Sequence, residues 1–141
     1  MIQDFAIISE LKSVREERVR LSAKEQELSE PMLDDYSLVG EIYEWFQEIL
    51  SERALPPRAD SPLQRKKFIF IILFLYSPKT LAGDKMRIGL RDKIAEVTGC
   101  TRTLISHNCE DVSFFYQQYK CHREDIDFLY VEIMNRLKRR C

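Results

Sequence analysis

The chain has 141 residues, enough for one domain, or one domain plus an extension, and for a real core. An apolar fraction of 45% and a charged fraction of 32% are those of a soluble helical protein, and only four glycines argue against a turn-rich β architecture. The net charge of −1 hides an asymmetry: 7 basic and 14 acidic residues up to Asp60, then 15 basic and 9 acidic from Ser61 onward. An acidic front half and a basic rear half point to separate tasks, with polyanion binding assigned to the rear.

The first predicted element spans about Gln3 to Glu30, rich in charge and strong helix formers and free of glycine and proline. Val14, Leu21 and Leu28 recur every seven residues. Leu11 and Met32 supply part of the alternate positions, but Arg18 and Glu25 occupy the others. A sustained coiled coil needs three or four good heptads, so the segment reads as a solvated amphipathic helix, with a dimerising coil as the other option. Pro31 breaks the pattern. Asp34 or Asp35 can then cap a second helix running to about Ala54. Leu38, Ile42, Trp45, Phe46, Ile49 and Leu50 share its inner face, while Glu41, Glu44, Glu48 and Glu52 make the outer face acidic.

Leu55 to Pro62, LPPRADSP, is the clearest break in the chain, and the charge changes sign there. It places a boundary between an acidic N-terminal helical arm, residues 1–57, and a basic helical domain, residues 58–141. Ser61-Pro62 is a cap followed by a first-turn proline, which starts a third helix running to about Tyr76. Within it, Phe68 to Tyr76 reads FIFIILFLY without interruption. A bilayer span needs about 20 residues, and Arg65, Lys66 and Lys67 precede this run while Lys79 follows. A buried core segment is therefore expected. A buried strand would show the same pattern, and the cap with its Gln-Arg-Lys-Lys lead-in favours helix. Asp4, Glu10, Arg15 and Glu16 break up any early apolar leader, so a cytoplasmic location is expected, with the four cysteines as free thiols.

A short turn or helix near Leu81 reaches Gly83, and a helix over roughly Lys85 to Val97 follows. The next helix extends to about Tyr119, because Ile105, Cys109, Val112, Tyr116 and Tyr119 keep a spacing of four, three, four and three. A last helix from about Arg123 to Arg139 turns Ile126, Leu129, Ile133 and Leu137 inward. Its closing Arg136, Lys138, Arg139 and Arg140 suit a helix C-terminus and would also suit a phosphate backbone. No β-hairpin follows that would form a wing. The expected fold class is all-α, a helical bundle with an N-terminal helical arm.

Leu90 to Asn108, LRDKIAEVTGCTRTLISHN, carries the most specific signal. Ala95 is small enough for a second helix to cross closely, Gly99 can take the left-handed conformation that ends the first helix, and Thr101 can cap the second. Ile105 would then turn inward and leave Arg102, Thr103, Ser106 and His107 outside. With Lys85 leading in, this stretch resembles the helix-turn-helix of small DNA-binding proteins of bacteria, phages and mobile elements. Thr98 and Asn108 depart from that pattern, because apolar residues are usual at both positions. The resemblance implies double-stranded DNA as the partner and a transcriptional regulator or a DNA-recognition subunit as the role. It implies base contacts from Arg102 and His107, further contacts from Thr101, Thr103 and Ser106, and phosphate positioning by Arg87, Arg91 and Lys93. Helix-turn-helix proteins often pair to read two half-sites, which makes the N-terminal arm a candidate homodimer contact.

Other chemistry finds little support. Cys100, Cys109, Cys121 and Cys141 with His107 and His122 contain no Cys-x-x-Cys pair, so no metal is expected, and Cys100 and Cys109 read as small buried apolar residues. No phosphate-binding glycine loop, nucleophile elbow or spaced carboxylate set is present, so neither an enzyme nor a cofactor is expected. Phe114, Phe115, Tyr116 and Tyr119 read as core. The rival to DNA binding is a helical protein–protein interaction or assembly module, in which the turn at Gly99 is a plain αα-corner.

Overall fold

The structure, a computed structural model, describes residues 2–140, and among them there are seven helices and no strand. They are α1 (Ile2–Leu28), α2 (Leu38–Ser51), α3 (Pro62–Tyr76), α4 (Pro78–Leu81), α5 (Leu90–Thr98), α6 (Arg102–Gln118) and α7 (Lys120–Arg140). The all-α expectation holds, and most helix ends fall within a few residues of those read from the sequence. Among the described residues, no helix is long and apolar enough to cross a membrane.

The chain divides into two compact units, Met1–Glu30 and Pro31–Cys141. This corrects the boundary expected at residues 57/58. The proline-rich stretch is a connector inside the second unit, and α2 belongs with the rear half. The reason is its apolar face: Val39, Ile42, Phe46, Ile49 and Leu50 are all buried. Each such side chain gives about 1.5–3 kcal/mol on leaving water, so an α2 standing apart from the body would forfeit its main stabilisation. The first unit is α1, and from Phe5 to Leu28 every side chain is exposed.

At the centre of the second unit lies α3. Ser61 caps it by accepting from the Gln64 amide, and Pro62 occupies its first turn. Phe68, Ile69, Ile71, Ile72, Leu73, Leu75 and Tyr76 are buried almost completely. A helix apolar on nearly every side needs neighbours all round, and α2, α4, α6 and α7 provide them. Pro31 to Ser37 crosses the far end of α3. The Met32 and Leu33 amides both donate to the Leu75 carbonyl at 3.0 Å, and the Tyr76 hydroxyl donates to the Asp35 carbonyl at 2.7 Å. Asp35 also organises the start of α2, accepting from the Ser37 amide at 3.0 Å and the Ser37 hydroxyl at 2.7 Å.

Charge closes the bundle as well. Arg136 on α7 pairs with Glu48 and, at 3.7 Å, with Glu52. Arg140 pairs with Glu41 at 2.9 Å. The acidic face of α2 and part of the basic C-terminal cluster therefore meet each other. Deeper inside, Asp125 on α7 receives both Lys67 Nζ at 2.6 Å and the Arg53 guanidinium. Burial opposes ionisation of Asp125, but its bonds to Arg53 and Lys67 outweigh that and hold the carboxyl below its ordinary value.

Candidate nucleic-acid interface

The Gly99 turn forms as the residue types require. Gly99 has φ 72°, a left-handed conformation that disfavours any side chain bearing a Cβ. The Cys100 amide returns to the Ala95 carbonyl at 3.0 Å, closing α5. Thr101 starts α6 by accepting from the Leu104 amide at 3.1 Å. Ala95 is 8% exposed, small and turned inward, and Ile105 is fully buried, so the short α5 packs against the start of the longer α6, which carries the outer face.

Both departures from the apolar pattern are satisfied locally. The Thr98 hydroxyl donates to the Ile94 carbonyl at 2.7 Å. Asn108, only 5% exposed, donates through Nδ2 to the Leu104 carbonyl at 2.8 Å and accepts at Oδ1 from Arg65 Nε at 3.1 Å. Arg65 on α3 thus does for Asn108 what apolar packing would do for a leucine there.

The structure brings most of the expected site residues to one surface. Thr101, Arg102, Thr103 and His107 are exposed at the start of α6, and Ser106 is half-buried beside them. Arg91 on α5 is exposed and donates to the Ser106 hydroxyl at 3.2 Å, which ties the two helices together across their outer side. Arg102 reaches Asp92 at 3.4 Å, with both side chains mostly in solvent. Lys93 is half-buried and pairs with Glu96 at 3.7 Å.

Arg87 does not join them. The first motif helix was expected from Lys85, but it begins at Leu90, and Lys85 to Gly89 form a loop that ends with Gly89 at φ 84°. Arg87 turns inward from that loop. Its Nη1 donates to the Tyr76 carbonyl at 3.1 Å and the Leu33 carbonyl at 3.4 Å, and its amide donates to the Ser77 hydroxyl at 3.3 Å. These bonds commit Arg87 to holding the loop against α3, although it still lines a cleft that it shares with Arg91 and Ser106. The loop leaves Ile88 97% exposed beside that cleft of about 640 Å³, lined by Lys85, Arg91, Asp92, Ser106 and Glu110 among others.

Several residues on this surface went unread. Asp92 and Glu110 put negative charge among the cations, and Gln117 continues the α6 face. Thr103, His107, Glu110, Phe114 and Gln117 are all exposed at a spacing of four, three, four and three. That spacing is the complement of the inward stripe, and it was the signal available for them.

The core expectation for the aromatic group holds for Tyr116 alone. Tyr116 stacks on Phe70 with ring centroids 4.4 Å apart, and Phe115 packs under Lys66 Nζ at 4.1 Å and beside His122. Phe114 and Tyr119 are 53% and 50% exposed, a correction that follows from their place on the outer face and at the end of α6. His122 is buried with neither ring nitrogen hydrogen-bonded, and burial followed by the nearby Lys67 pushes its pKa below the ordinary value. Cys100 and Cys109 lie half-buried against the core, and burial pushes the Cys109 thiol up to about 11. Among the described residues, no three His, Cys, Asp or Glu side chains are placed to hold a metal ion.

No family model matches the chain, and no curated protein or solved structure matches it either.

Proposed function

We propose that the protein binds double-stranded DNA without catalysis, through α5, the Gly99 turn and α6, as a transcriptional regulator or a DNA-recognition subunit acting in the cytoplasm. One observation supports this reading above the others. A tight left-handed turn positions a capped helix whose exposed first two turns carry Arg102, Thr103 and His107, with Arg91 alongside. Lodged in a major groove, Arg102 and His107 would face base edges, Thr101, Thr103 and Ser106 would contact bases or phosphates, and Arg91 and Lys93 would lie near the backbone. Pairing through the N-terminal arm would present two copies of α6 to two half-sites.

The test is a fluorescence-anisotropy titration of a mixed-sequence duplex at low and moderate salt. Wild-type protein should bind at low salt and weaken steeply as salt rises through counterion release. Arg102→Ala/His107→Ala should bind markedly less. Absence of low-salt binding, or equal binding by the double variant, would exclude α6 as the reader. A second reading, an interaction or assembly module, is favoured by the exposed apolar side chains of α1 and by the acidic Asp92 on α5 and Glu110 on α6. It predicts partner capture without salt-sensitive DNA binding.

A further inference from the structure

A helix of 27 residues with every described side chain in solvent leaves its apolar groups without cover. Exposed side chains on α1 include Ile7, Leu11, Val14, Leu21 and Leu28. With Arg18 and Glu25 they form an unbroken alternation of four and three residues, the repeat that keeps one seam facing a partner helix. Ile7, Val14, Leu21 and Leu28 occupy one of the two core positions of that repeat. Leu11, Arg18 and Glu25 occupy the other. The seam is good at one position and charged at the other, and this decides what covers it.

We infer that α1 pairs with α1 of a second copy in the antiparallel direction, with Leu11 facing the partner's Leu28, Val14 facing the partner's Glu25 and Arg18 facing the partner's Leu21. The inference rests on the homodimer in the reading above and adds its direction and register. In a parallel pair, Arg18 would face the partner's Arg18 and Glu25 the partner's Glu25, so both charged layers would bury like charges. In the antiparallel register every charged seam residue faces an apolar one. Arg18 then sits four residues, about 6 Å along the axis, from the partner's Glu25, and three residues, about 4.5 Å, from the partner's Arg18. Symmetry gives that attraction twice, against one Arg18 contact with the partner's Arg18 in the adjoining layer. The flanks agree: Glu17 comes opposite the partner's Lys24, also twice. In the single chain Glu17 is paired with Arg20, an exposed contact that the dimer can exchange at little cost.

Sedimentation equilibrium of the full chain tests pairing, and cross-linking tests direction. The wild-type protein should be a reversible dimer at high micromolar concentration. Leu21→Glu should raise the dissociation constant at least about tenfold, since a buried leucine carries more than the roughly 1.4 kcal/mol that a factor of ten represents. Leu21 lies outside the core, so the variant should keep its helicity and melting temperature. For direction, heavy- and light-isotope wild-type chains are mixed and treated with a short amine-reactive cross-linker. Intersubunit links should join Lys12 to the partner's Lys24. A monomer at all concentrations, a dimer indifferent to Leu21→Glu, or links from Lys12 to the partner's Lys12 would each overturn the inference. Salt-sensitive DNA binding by a monomer would sink the pairing and leave the DNA reading standing. An antiparallel dimer that ignores DNA would do the reverse.

Discussion

Two groups of cations in the second unit look alike in the sequence and differ in what they face. Arg53, Lys67, Arg87, Arg136 and Arg140 are committed to partners within the unit. Arg53 and Lys67 hold Asp125, Arg87 holds backbone carbonyls, and Arg136 and Arg140 hold the acidic face of α2. Arg91 and Arg102 instead stand in solvent around α6, touching only Ser106 and Asp92. A basic half is therefore not the same thing as a basic surface. The C-terminal cluster that suited a phosphate backbone is partly neutralised by α2, while α5 and α6 carry Arg91, Lys93 and Arg102 interleaved with Asp92, Glu96, Glu110 and Asp111.

Breaking the inward set should cost stability and spare DNA binding. The largest effect is expected for Asp125→Ala, which strands Lys67, whose side chain is only 8% exposed, beside the Arg53 guanidinium. Removing one partner of a buried pair costs about 3 kcal/mol, read as a drop in chemical-denaturation midpoint. No loss would mean that the ions are solvated in the native state.

Breaking the outward set should do the opposite. Arg91→Ala/Arg102→Ala should weaken duplex binding by on the order of 2 kcal/mol and change folding stability by less than about 0.5 kcal/mol. A melting temperature that falls with the affinity would blur the division between the sets. Arg136→Ala is a milder probe of the inward set, because Glu48 and Glu52 are mostly exposed. It should cost under about 1 kcal/mol, and the loss should shrink in high salt.

The smallest effect concerns pH. His122 faces Lys66, Lys67, Asp125 and the Phe115 ring, and its folded pKa lies below its unfolded value. The unfolded chain then takes up the proton first, so this contribution to stability is complete above about pH 6.5 and is lost as pH falls through the folded value. Melting temperatures should decline over that range in wild type and less so in His122→Gln. Parallel curves would remove His122 from the account.

Much of this was legible because local rules and the final structure agree. The run from Phe68 to Tyr76 could be buried only at the centre of the bundle, and Ser61-Pro62, Gly99 and Thr101 marked helix ends through conformations that few other residues adopt as readily. The misreadings arose where distant groups decide. The pairs from α2 to α7 join residues 88 positions apart in the case of Glu48 and Arg136, and no local pattern shows that the two charge clusters cancel. The inward turn of Arg87 depends on the Tyr76 and Leu33 carbonyls, which only the folded chain brings near. The domain boundary was misplaced for a different reason. Adjacent prolines read as a linker, although the apolar stripe from Leu38 to Leu50 already required that α2 be covered by the body.

The salt dependence of duplex binding tests the central claim most directly, compared among wild type, Arg91→Ala/Arg102→Ala and Arg136→Ala/Arg140→Ala. If α5 and α6 meet the DNA, the first variant should reduce the slope of log affinity against log salt by about 2, close to 0.9 per lost phosphate contact. The second variant should leave the slope unchanged. An unchanged slope in the first variant, or an equal loss in the second, would contradict the assignment of the DNA-facing surface to α6.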